Sequence, residues 1–144
     1  MAGGQIVGYF NNFGDITKLM TPRIDEAIHV TANEVVTEAQ AHAPVDTGAL
    51  RESIHAVTDR ENGYPQAAAQ AVTLRHSGNR PNSEAKTFPY VGPEHDHEAI
   101  VAACVEHGMV NEFGGGNLPA RPFFVPAVEH AAPEFFNRIG KALE

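Results

Sequence analysis

The chain has a single cysteine, Cys104. No intramolecular disulfide can form, and no CxxC pair exists for metal or redox chemistry. Basic residues are scarce: 10 Lys and Arg stand against 18 Asp and Glu, a formal net charge of −8. Docking on DNA or anionic lipid needs cationic patches, so an acidic surface argues against both as general modes of binding. The basic residues do not cluster; Arg51 and Arg60 lie near one turn, and Arg75, Arg80 and Lys86 near one polar stretch. No apolar run approaches the roughly 20 residues that span a bilayer. Met1 to Gly8 lack a basic region followed by an apolar one, so no signal peptide is expected. GxSxG, HExxH, Walker and GxGxxG motifs are missing as well. Together these absences predict a soluble protein of a reducing cytoplasm, without cofactor, membrane contact or enzymatic role.

What remains is a chain of 144 residues, 42% hydrophobic and 19% charged, enough for one modest core. It is heavily punctuated, with 13 Gly, 10 Pro and 8 His. The histidines make its charge sensitive to mild acid.

Residues 1–20 read as an N-terminal arm: glycines precede Phe13, Ile16, Leu19 and Met20, which suit a short amphipathic turn. A helix is predicted over 21–43. Thr21 fits its N-cap and Pro22 its first position, and Ile24, Ala27, Ile28, Ala32, Val35, Ala39 and Ala43 recur at helical spacing. Pro44 ends it. Pro44 to Ala49 reads as a tight turn in which Gly48 takes positive φ and Asp46 and Thr47 bond backbone N–H groups. Strands are expected over 50–58 and 66–76, joined by a hairpin at Asn62-Gly63. Residues 77–98 form a long polar loop that includes a short edge strand at 87–91, interrupted by Pro89. A further strand is expected over 99–113, broken near Gly108, and then two helical pieces, with Pro122 and Pro126 in a first turn and Pro133 opening the second.

Two clusters invite chemistry. His95-Asp96-His97 puts two imidazoles on one side of an extended segment, and His107 could add a third metal ligand; a solvated polar turn is the simpler account. Cys104 and His107 could form a dyad, but three residues along a strand they face opposite sides, and Cys104 sits in an apolar run.

Two segments carry more information. Ala43-Pro44-Val45-Asp46-Thr47-Gly48-Ala49-Leu50-Arg51-Glu52-Ser53-Ile54 follows a long amphipathic helix. Later come Asn111-Glu112-Phe113-Gly114 and, after a Gly-rich stretch, Pro119-Ala120-Arg121-Pro122-Phe123-Phe124-Val125-Pro126-Ala127. This order resembles the small neck proteins of long-tailed bacteriophages, known as head–tail joining, tail-completion or minor tail proteins. A near-copy of the second motif, Val105-Glu106-His107-Gly108, leaves open whether Glu106 or Glu112 fills the family position.

The motif residues have architectural jobs in this reading. Asp46, Thr47 and Gly48 order a turn, Phe113 packs in the core at a strand end, and Pro122 and Pro126 pre-set the last helix. The expected fold is α+β: an antiparallel sheet of about four strands with the long N-terminal helix and the C-terminal helix on one face. The domain covers 21–144, with the arm at 1–20 and the exposed loop at 77–98. The resemblance implies a homo-oligomeric ring of on the order of six or twelve copies at the virion neck, assembled in the host cytoplasm. It would contact portal or connector and tail proteins, and DNA would pass its acidic channel without sequence-specific binding. A tail terminator ring is the near alternative, and a small metal-dependent enzyme the distant one.

Overall fold

The computed structural model describes the backbone of residues 2–45, 48–77 and 87–144, and side chains within 18–45, 48–74 and 87–144. The chain forms α1 (Ala2–His42), α2 (Ala49–Ser53), β1 (Ile54–Val57), α3 (Tyr64–Ser77), β2 (Ile100–Ala103), α4 (His107–Phe113) and α5 (Phe124–Ala142). This is a mixed helix and sheet fold with a long helix at each end.

Helix α1 does not begin at Thr21. It runs 41 residues and holds Pro22 inside it. A proline here removes one N–H from the helical ladder, and Pro22 lies on the exposed side of the helix. The periodicity of the second half holds: Ala27, Ala32, Val35, Ala39 and Ala43 are all buried.

The sheet has two strands among the described residues, not about four. β1 and β2 pair antiparallel, with Ile54 opposite Ala103 and Val57 opposite Ile100. Two causes remove the others. The stretch expected as a strand over 66–76 is α3, because its alanines are the best helix formers. Asn62-Gly63 does turn the chain back on β1, with Val57 bridged antiparallel to Asn62 and the Gly63 N–H donating to the Ala56 carbonyl. It then starts that helix in place of a second strand: the Tyr64 N–H donates to Asn62 Oδ1 at 3.1 Å, and the Ala67 N–H donates to the Gly63 carbonyl. Residues 87–91 make one bridge, Thr87 to Val105, before Pro89 supplies no N–H to continue the ladder.

The predicted strand 99–113 ends at Ala103, and its second half is α4. The C-terminal helix is one piece with Pro133 inside, not two. Like Pro22, Pro133 lies on the exposed side of its helix, as does Glu129 one turn before it. Contacts from His130 to Glu38 and from Arg138 to Thr31 show that α5 runs antiparallel to the second half of α1. The core gathers Val35 and Ala39 of α1, Leu50, Ile54, Ala71, Val105 and Phe123 with Ala127 and Ala131 of α5.

Candidate functional site: the joint that Glu112 makes with the last helix

Helix α5 opens on Phe123-Phe124-Val125-Pro126, with none of the Ser, Thr, Asp or Asn residues that normally cap a helix. Its first N–H groups still need acceptors. Glu112, at the end of α4, supplies them. Its Oε2 accepts from the N–H groups of Phe123 and Phe124, both at 2.8 Å, and its Oε1 from Val125 at 2.9 Å. The next residue is Pro126, which has no N–H to satisfy. One carboxylate and one proline thus complete the helix start. Burial pushes the Glu112 carboxyl up, but the three N–H bonds outweigh it and hold the group below the usual carboxylate range. The positive end of the helix dipole acts in the same direction.

This settles which acid joins the two halves of the second motif. Glu112 is 8% exposed, while Glu106 lies on the surface at the N-terminus of α4. The connection is tight throughout. Gly114 has φ +78° and ψ 163°, a backbone state essentially reserved for glycine. A Cβ there would lie 3.0 Å from the Ala120 nitrogen. The Arg121 N–H donates to the Asn111 carbonyl at 2.6 Å, and Gly115 and Leu118 exchange two backbone bonds.

The first motif reaches the same core from the other side. Gly48, at φ +85°, is the N-cap of α2, and Leu50 is 4% exposed. A Cβ on Gly108 would come within 3.4 Å of Leu50 Cδ1 and 3.9 Å of Phe123 Cζ, so Gly108 sits between the two motifs. Pro44 is half-buried just past α1, and Pro122 is exposed ahead of Phe123. Asp46 and Thr47 lie outside the described residues, as does 78–86 of the expected loop. Phe113 departs from expectation: it is 71% exposed, because it ends a helix and not a strand, and its ring points away from the core.

The metal and nucleophile candidates are not brought together. His97 Nδ1 lies 2.7 Å from Asp25 Oδ1 on α1, and Asp25 raises the pKa of His97 by hydrogen bonding. The backbone N–H groups of Glu94 and His95 donate to the Glu98 carboxylate. His107 begins α4, beyond the turn that holds the other two. Among the described residues no group of three His, Cys, Asp or Glu could hold one ion. Burial pushes the Cys104 thiol up, away from the thiolate that a nucleophile needs.

Periodicity alone did not reveal the tie between the long helices. Arg138 of α5 pairs with both carboxylate oxygens of Glu34 and donates to Thr31 Oγ1 at 3.1 Å. It lies beside an open groove of about 810 Å³ lined by His29, Asn33, Glu38, His130 and Glu134. No helix among the described residues is long and apolar enough to cross a membrane.

Residues 11–80 match the HK97-gp10-like family, described as "Bacteriophage HK97-gp10, putative tail-component". That stretch contains the first motif and ends before the second. No curated protein and no solved structure matches the chain.

Proposed function

We propose that this chain, a phage tail-related structural component by its match over residues 11–80, forms a ring at the virion neck and joins the head to the tail. The observation that carries the reading is the convergence of its two motifs. Leu50 of the first and Phe123 of the second meet in one core around Gly108, and Glu112 locks the second motif to α5. A chain that resembles neck proteins in two distant segments also joins those segments physically. Gly48, Leu50, Glu112, Gly114, Phe123 and Pro126 have structural tasks in that core and joint, and none of these tasks needs a substrate.

In this reading the protein is not an enzyme. Its partners are further copies of itself, the portal or connector above and tail proteins below. Its net charge of −8 suits a channel wall past which DNA phosphates slide without adhering. Particles assembled without the protein test the proposal. Negative-stain images are expected to show tailless heads beside free tails, and intact virions would overturn it. Tails of uncontrolled length would instead favour the terminator ring.

A further inference from the structure

Helix α5 is apolar over far more of its circumference than its own chain covers. At about 100° per residue, Ala127, Ala131 and Ala142 fall within one arc of about 60°. Those residues are buried, and the contacts of Arg138 place the same side against α1. A second arc, about 80° wide and next to the first, carries Val125, Val128, Ala132, Phe136, Ile139 and Leu143. Four of these are open, with Phe136 69% exposed, Leu143 51%, Val128 49% and Val125 47%, while Ala132 and Ile139 are half-buried. Within the helix the fully buried residues are all alanine, Phe124 packs partly buried against the core, and these four large residues face outward. An isolated globular chain gains nothing from that arrangement, since burying the large residues would stabilise it more.

The same chain carries a segment suited to cover this stripe. Helix α1 is 41 residues long against 19 for α5, and the described contacts of α5 with α1 fall on its second half. The first half, residues 2–20, extends about 28 Å at about 1.5 Å per residue. The stripe from Val125 to Leu143 extends about 27 Å by the same rise. In sequence that half repeats Ile6, Phe10, Phe13, Ile16 and Met20 at three- and four-residue spacing, with Asp15 and Lys18 its only charged residues. Leu19, the first apolar side chain described on α1, is 74% exposed. Because α1 is one continuous helix, its first half cannot fold back onto the outer face of its own α5.

We propose that the first half of α1 from one copy lies along the outward apolar stripe of α5 in a second copy. The two surfaces differ, so each copy gives an arm and receives one. Such a heterologous contact closes into a ring or propagates. The inference deepens the ring reading above by naming how the copies join.

Complementation between two full-length variants tests it. One carries Val128→Glu with Phe136→Glu and keeps its arm; the other carries Phe10→Glu with Phe13→Glu and keeps its stripe. Light scattering over a concentration series is expected to show oligomers larger than a dimer for the unaltered chain. Each variant alone should be monomeric, and their mixture should give a one-to-one heterodimer, since only one junction can form. Far-UV circular dichroism checks that helix content is unchanged, and Ile16→Glu with Met20→Glu provides a second arm variant. The proposal is overturned by an unaltered chain that stays monomeric or by a mixture that does not associate. It is equally overturned by arm variants that oligomerise like the unaltered chain, which would mean that α5 stripes pair with each other. Because the measurement uses purified chain, it stands or falls independently of the particle images.

Discussion

Replacing Glu112 by glutamine probes the joint with little change of shape. The carboxylate accepts three N–H bonds at 2.8–2.9 Å from the start of α5. A glutamine has one carbonyl oxygen. If that oxygen keeps Phe123 and Phe124, the amide NH₂ must face the Val125 N–H, donor against donor. One charge-assisted bond, worth about 1.5–3 kcal/mol, is lost. The other two weaken as the charge disappears, and the helix dipole loses an anion worth about 0.3–1 kcal/mol. We expect Glu112→Gln to cost about 2–4 kcal/mol, which for a chain of this size lowers Tm by about 6–12 °C. Glu112→Ala frees all three donors and should cost somewhat more. Glu106→Gln, at the exposed near-copy, should stay within about 0.5 kcal/mol.

The same substitution has a pH signature whose sign is fixed. The folded protein holds the Glu112 carboxyl below its ordinary value of 4.5. The charged form is therefore favoured by folding. Its contribution is fully present above that ordinary value and is lost as pH falls through the lower folded value. Thermal melts of the two proteins, compared from neutral pH downward, should be far apart at pH 7 and converge below about pH 4.5. A glutamine variant that melts within about 2 °C of the unaltered protein at pH 7 would refute the capping argument. So would a gap that persists unchanged into acid.

Three further outcomes follow from the geometry. Gly114→Ala forces a Cβ to 3.0 Å from the Ala120 nitrogen at φ +78°, and should destabilise by about 1–3 kcal/mol in denaturant titration. Arg138→Met removes the link to Glu34 and Thr31 but keeps the stem packing; because Glu34 is 41% exposed, solvent screening holds the cost to about 1 kcal/mol, read from the same titration. Asp25→Asn should lower the pKa of His97 toward the ordinary histidine value in an NMR titration. The raised value means that the pair stabilises the fold below about pH 6.5, and that this contribution fades as pH rises through the folded value.

Much of the helical framework was legible because burial writes a period into the sequence. The second half of α1 repeats alanine and valine at helical spacing, and those residues are the buried ones. Gly48 announced its positive φ by its place in a Thr-Gly turn. The sheet was overestimated for a local reason. Asn62-Gly63 is a strong hairpin signal and does return the chain to Val57 for one antiparallel bridge, but its N–H acceptor also serves a helix start, and the alanines that follow decide for helix over strand. Proline marks a boundary by pattern at Pro22 and Pro133, although a proline on the exposed side of a helix interrupts its ladder without ending it. The role of Glu112 was invisible to spacing, since its partners lie 11 to 13 residues away. One signal could have exposed it: a helix that opens on Phe-Phe-Val-Pro has no capping side chain, so an acceptor must come from elsewhere in the chain.

The distribution of apolar residues bears on the proposed assembly of copies. Among the described residues, eleven of the eighteen buried hydrophobics are alanine, and only Phe123 among the aromatics is fully enclosed. Thirteen large hydrophobics are exposed over the same residues. Alanine lets helices approach closely but contributes little transfer free energy, because each buried methylene adds only about 0.8 kcal/mol. The residues that could add most, such as Phe113, Phe136 and Leu143, face outward. A chain built this way keeps part of its hydrophobic stabilisation for contact with other surfaces. Assembly should then raise stability, and Tm should increase with protein concentration wherever the copies associate. Substitution of Phe136 by Glu should abolish that concentration dependence while leaving the dilute chain's Tm unchanged; a Tm that is independent of concentration in the unaltered chain would show that the exposed apolar residues serve some other contact.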